Sequence, residues 1–181
     1  LELDQEAARA IILDNSKSAA FVNISIDAVT WETYHKLKRT GISPEQAKRE
    51  YVRIINNIRS LVIHRNRLGA DLNISISCVL QKETSTPEEI AILIRMAKEL
   101  GVNNIRFRYP YKVSTGAPLQ GEIKVAYDTI AKFIDLYKDD KDFNITQIYG
   151  EDEVQEQMHK LFDSTQQGKR SYTKCRVPYL R

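Results

Sequence analysis

The chain has 181 residues, 42% of them hydrophobic and 28% charged, and a formal net charge of +3, which is ordinary for a globular protein with one sizeable core. Its basic residues are scattered rather than clustered, which argues against a nucleic-acid partner, and no apolar run approaches the ~20 residues that a membrane span needs. Two cysteines far apart in sequence, Cys78 and Cys175, make neither a disulfide framework nor a CxxC metal knuckle, so a cytoplasmic location is the expectation.

Residues 4–13 predict a helix, with Ala7, Ala8, Ile11 and Ile12 on one side. Residues 21–28 alternate Val22, Ile24 and Ile26 with Asn23, Ser25 and Asp27, the period of a strand. Thr30 can cap a short helix running to Lys38. Ser43-Pro44-Glu45-Gln46 is a strong helix start, with serine accepting from the N3 amide and proline at the first helical position. The helix that follows carries Tyr51, Ile54, Ile55, Ile58, Leu61 and Val62 at spacings of three and four.

A second strand is predicted at residues 73–80, where Ile74, Ile76 and Cys78 alternate with Asn73, Ser75 and Ser77. Thr86-Pro87-Glu88-Glu89 repeats the helix start, the helix carries Ile90, Leu93, Met96, Ala97 and Leu100, and Gly101 ends it as a left-handed cap. Residues 104–109 predict a third strand, with Ile105, Phe107 and Tyr109 opposite Arg106 and Arg108. Strands separated by helices of this length imply right-handed crossovers and a parallel sheet. Residues 114–121, rich in Gly, Pro and Ser, predict a loop and a domain boundary. Beyond them come an amphipathic helix through Ile123, Tyr127, Ile130, Phe133, Ile134 and Tyr137, a strand at 143–148, a short helix at 154–162 and a polar, mobile stretch at 164–170.

The alternation itself carries chemical information. Strands buried on both faces read as continuous apolar runs, whereas each of these three has one Ile/Val/Phe face and one Asn/Ser/Asp/Arg face. The apolar faces should receive the helices. The polar faces then converge on a concave side that is wet or holds a polar ligand, because unpaired buried polar groups are costly. A closed barrel fills its interior with branched apolar side chains, so an open, partial TIM-like barrel is expected, with a two-layer sheet and one solvent face as the alternative. Reactive groups in such folds gather at the C-terminal strand ends: here Ser25 and Asp27, then Ser77 to Gln81, then Arg108. A hydroxyl and a carboxylate two residues apart suit the vicinal hydroxyls of a ribose; the lesser alternative is that Asp27 caps the next helix.

The segments FVNISIDAVTWETYHKLKR, ISISCVLQKETSTPEEI and ELGVNNIRFRYPY, in this order and with these gaps, resemble the fourth, fifth and sixth strands of radical S-adenosylmethionine enzymes. The resemblance covers residues 1–113 and implies a second half-barrel there, a linker at 114–121 and a C-terminal extension at 122–181. It implies that Ser25 and Asp27 contact the ribose of S-adenosylmethionine, that Val79, Leu80 and Gln81 lie along the adenine, and that Arg108 faces cofactor or substrate. On this reading removal of Asp27 weakens cofactor binding and barely affects folding. Around Cys175, the segment YTKCRVPYLR resembles the entry to a SPASM-type extension, which implies that Cys175 ligates an auxiliary iron–sulfur cluster in the complete protein.

Two family features are missing from the sequence: the C-x3-C-x2-C loop that holds the four-iron four-sulfur cluster, and the glycine-rich second-strand end that grips the methionyl group. With no initiating methionine before Leu1 and no terminating signal after Arg181, the expectation is a piece of a longer oxidoreductase. That enzyme, when complete, would cleave S-adenosylmethionine reductively and abstract hydrogen from a small-molecule substrate. The remainder of its own polypeptide would complete the barrel, and this piece alone would be inactive. The alternative is a non-catalytic α/β module that binds a nucleotide or another polar ligand.

Overall fold

The computed structural model describes residues 6, 7, 10, 12, 20–108 and 120–147. The described residues all belong to one compact unit within Leu1–Ile148. Tyr109, most of the expected linker, the expected elements at 154–170 and Cys175 lie outside the described residues.

Eight elements follow one another: β1 (Ala20–Ser25), α1 (Trp31–Lys38), α2 (Pro44–Leu68), β2 (Leu72–Val79), α3 (Pro87–Leu100), β3 (Asn104–Arg108), α4 (Gln120–Leu136) and β4 (Asn144–Gln147). Ahead of them, Glu6, Ala7, Ala10 and Ile12 are helical, as the pattern of residues 4–13 predicts, and Ile12 is fully buried in the core. The strands form one open sheet in the order β1-β2-β3-β4. Every pairing is parallel, with Ser25 opposite Ser77, Ser77 opposite Arg106 and Arg106 opposite Thr146. This is the α/β architecture of helices alternating with parallel strands that the sequence predicts.

Local signals place the helix ends. Thr30, Ser43 and Thr86 are N-caps whose hydroxyls accept from the amides of Thr33, Gln46 and Glu89, which satisfies amides that have no partner within the helix. Gly69 and Gly101 close α2 and α3 at positive φ, 57° and 76°, a conformation that side chains with a Cβ disfavour. Of α2, only Ala47, Ile58, Leu61 and Val62 are buried; the last three join the core cluster with the strand residues, while Lys48, Glu50 and Tyr51 in its first half meet Trp31, Arg39 and Tyr34.

The core lies between the helices and the apolar sheet face. Ile74, Ile76 and Cys78 of β2 and Ile105 and Phe107 of β3 are fully buried, together with Ile58, Leu93, Ile94, Ala97 and Ile130 from the helices. Truncating a fully buried phenylalanine such as Phe107 typically costs about 3–5 kcal/mol, so this face alone fixes the register: a slip of one residue would exchange Phe107 for an arginine. On the opposite face Asn23, Ser25, Asn73 and Arg108 are exposed, and Phe21 is 74% exposed.

The boundary expected at 114–121 needs restating. Gln120 and Gly121 already belong to α4, α4 packs on α3, and β4 pairs with β3 in the same sheet. Residues beyond the loop therefore carry the βα repeat onward to β4, because the strand edge left open by β3 accepts them. No helix among the described residues is long and apolar enough to cross a membrane.

Candidate functional site

At the C-terminal end of β1 the chain turns away from the sheet to enter α1. The amide of Ile26 still donates to the Ser77 carbonyl at 3.0 Å, but the next ladder position is filled differently. Asp27 supplies a side-chain acceptor in place of a backbone carbonyl: the Val79 amide donates to Asp27 Oδ1 at 2.7 Å. The Lys38 ammonium, from the last turn of α1, forms an ion pair with Oδ2, directed so that this oxygen has no well-aligned hydrogen bond. The Asp27 side chain is 0% exposed and that of Lys38 43%. Asp27 does not cap α1, since Thr30 does.

Ser25, Asp27, Tyr34, Lys38, Arg39 and Tyr51 line a cavity of about 330 Å³ between the end of β1 and helices α1 and α2, within the ~300–1,000 Å³ range of small-ligand sites. Tyr34 and Lys38 stand four apart on α1, so both reach the same side. Tyr34 Oη donates to Glu50 Oε2 at 3.4 Å and accepts from Arg39 Nε at 3.2 Å, and Arg39 Nε lies 3.0 Å from Glu50. Tyr51 Oη donates to the carbonyl of Val29 at 2.7 Å, and its ring lies 5.7 Å from that of Tyr34. Burial, reinforced by the Glu89 and Glu32 carboxylates, pushes the Tyr51 phenol up to about 12, so it stays a neutral donor that holds the turn after Asp27. The arrangement offers one carboxylate and two cations around a half-enclosed space. It suits a ligand with hydroxyl donors for Asp27 and an acceptor for Lys38 or Arg39.

The remaining expected site residues divide. Ser77 and Arg108 lie on the polar sheet face with Ser25 but do not line the Asp27 cavity. Val79 is half-buried and is tied to Asp27 through its amide. Gln81 opens a tight turn, its amide donating to Thr84 Oγ1 at 3.0 Å and its carbonyl accepting from the Thr84 amide. Leu80 is a correction: its side chain is fully buried in the core and its amide donates to the Arg108 carbonyl at 2.8 Å, so the side chain cannot lie along a ligand. Asp27 does line the cavity, but the expectation that it has little part in folding is corrected, because its carboxylate closes the β1–β2 ladder.

Lys38, Tyr34 and Tyr51 are not among the site residues that the sequence predicts. The spacing of Tyr34 and Lys38 was a usable signal, but only the packing of α1 over the end of β1 turns it into a site. Among the described residues no group of three or more His, Cys, Asp or Glu could hold a metal. Burial pushes the Cys78 thiol well up, so it does not offer a ready thiolate. An iron–sulfur cluster therefore does not fit the described residues.

No family model and no curated protein sequence matches the chain. Among solved structures, Streptococcus suis SuiB matches with a TM-score of 0.52 at 13% identity, over 81% of this chain and 30% of SuiB. SuiB bound to S-adenosylmethionine matches with the same values. A 2,3-dimethylmalate lyase matches at 15% identity over 94% of this chain and 59% of its own, with a TM-score of 0.34, too low to bear on the fold. The chain thus spans less than a third of SuiB, and the likeness is one of fold.

Proposed function

We propose that this chain is the second half of the partial barrel of a radical S-adenosylmethionine enzyme and supplies the ribose and adenine side of its cofactor site. The observation that carries the reading is the hydrogen bond between Asp27 and the Val79 amide. It joins the two segments that the sequence resemblance assigns to ribose and to adenine, at the C-terminal strand ends where (βα) folds bind ligands. The fold likeness to a protein crystallised with S-adenosylmethionine supports the same reading.

In this function Asp27 accepts from a ribose hydroxyl, and Ser25 contributes a second polar group from the same strand face. Because the carboxylate is covered, a hydroxyl reaches Oδ2 only when the half-exposed Lys38 side chain swings aside. Tyr51 and the Tyr34–Arg39–Glu50 group hold the wall in place. When bound, the cofactor with its cluster supplies the radical chemistry; the chain's own residues bind, orient and exclude water. The cluster ligands belong to the remainder of the polypeptide, which also completes the barrel, and Cys175 is assigned to an auxiliary cluster beyond it.

The test measures S-adenosylmethionine affinity of the complete protein by equilibrium dialysis. Asp27→Asn should weaken binding by about 1.5 kcal/mol or more, the worth of a hydrogen bond to a charged group, while Lys38→Met should bind at least as well as wild type because it uncovers the carboxylate. Unchanged affinity in Asp27→Asn would sink the ribose assignment.

A further inference from the structure

The polar face of the sheet holds a second cavity, of about 440 Å³, lined by Phe21, Asp71, Ser75, Asn104, Arg106 and Thr146 among others. It shares no lining residue with the Asp27 cavity. A ladder of side-chain hydrogen bonds crosses its floor. Ser75 Oγ donates to Asn104 Oδ1 at 2.8 Å, and Asn104 Nδ2 donates to Thr146 Oγ1 at 2.9 Å. These bonds fix the polarity of the floor. Asn104 has both ends engaged, and Thr146, having accepted from it, keeps its hydroxyl proton to donate elsewhere.

Arg106 stands directly opposite Thr146 in the parallel register, on the same face and roughly 4.8 Å away backbone to backbone. Its Nε is buried without a hydrogen-bond partner, and among the described residues it makes no ion pair. A buried guanidinium N–H left without an acceptor is costly, and the edge of a guanidinium matches a carboxylate through two parallel bonds. Asp71 lines the same cavity without pairing with Arg106, and its charge disfavours a dianion such as phosphate. Phe21, largely exposed, offers an apolar wall.

We propose that Arg106 and Thr146 form a recognition site for the carboxylate of a small monoanionic ligand whose apolar body lies against Phe21. Because Nε is covered, the half-buried Arg106 side chain turns toward the cavity to bind the carboxylate, which gives Nε the acceptor it lacks; Thr146 donates a third hydrogen bond, and Asn104 is a positioning residue that orients Thr146. The proposal does not depend on what fills the Asp27 cavity.

Titration calorimetry of the full chain at low ionic strength tests it, with 3-phenylpropionate, its methyl ester and inorganic phosphate as probes. Saturable binding of 3-phenylpropionate is expected, with the ester and phosphate at least tenfold weaker. Arg106→Gln should lose tenfold or more, Arg106→Lys should lose less, and Arg95→Gln, exposed on α3, should change nothing. Absence of saturable carboxylate binding, ester or phosphate binding as tight as the acid, or full affinity in folded Arg106→Gln would each overturn it. The acid-against-ester comparison uses wild type alone and so stands even if a variant fails to fold. S-adenosylmethionine affinity of Arg106→Gln, expected to equal wild type, reports separately on the Asp27 cavity.

Discussion

Replacing Asp27 with alanine is the perturbation whose outcome the structure specifies most fully. The variant leaves the Val79 amide without the acceptor that now lies 2.7 Å away, at the point where the β1–β2 ladder ends. A hydrogen bond to a charged group is worth about 1.5–3 kcal/mol. The Lys38 ion pair adds little, at most ~1 kcal/mol, because the ammonium is half in solvent and screened. A loss near 2–3 kcal/mol follows, which for a chain of this size lowers the melting temperature by roughly 5–10 °C. Asp27→Asn keeps an oxygen for Val79 and loses only the charge, so it should lose about 1 kcal/mol or less. Thermal melts and urea midpoints of the two variants, with wild type alongside, read the difference. If alanine and asparagine melt together, or alanine melts within a degree of wild type, then the carboxylate does not close the ladder and the reasoning fails.

Three other outcomes follow from single contacts. Burial raises the Glu89 carboxyl above its ordinary value, and its Oε2 has no hydrogen-bond partner. The folded pKa thus exceeds the unfolded one, and the associated stability is full below the unfolded pKa and lost as pH rises through the folded one; wild type should gain on Glu89→Gln as pH falls from 7 into the carboxylate range in paired urea titrations. Gly101→Ala should cost more than Gly69→Ala: both carry positive φ, but only at Gly101 would the new Cβ meet another side chain, Val62 Cγ1 at 3.1 Å. The positive φ alone costs about 1–2 kcal/mol, and equal melting temperatures would refute the added clash. In a Cys175→Ser background, Cys78, buried with its thiol pushed well up, should resist iodoacetamide until denaturant is added; rapid labelling of the native protein would contradict the core placement.

What the sequence determined by itself is what depends on neighbours a few residues away. Ser43 with Pro44 and Thr86 with Pro87 announce their helices because a cap hydroxyl and its amide partner are three residues apart, and Gly101 announces an end because its φ is a property of one residue. The alternation in β1, β2 and β3 separates the two faces because side chains point to opposite sides at every step, so the core at Ile76, Ile105 and Phe107 was legible, and with it the parallel α/β fold. The tertiary structure decided whatever depends on which strand lies beside which. Residues 114–121 look like a boundary in composition, yet β4 returns to the open edge of β3, a pairing between segments almost forty residues apart in sequence. Asp27 reads as a ligand-facing carboxylate, but its oxygen lies where the amide of Val79, on another strand, needs an acceptor. Leu80 reads as a ligand neighbour until the helices close over it. Arg106 is one polar residue in an alternating strand, and only the packed sheet, with Ser75, Asn104 and Thr146 bonded to one another across three strands, leaves its Nε buried without an acceptor. Local order follows from bonds the chain makes with itself nearby; a site follows from which distant groups are left with their hydrogen bonds unmade.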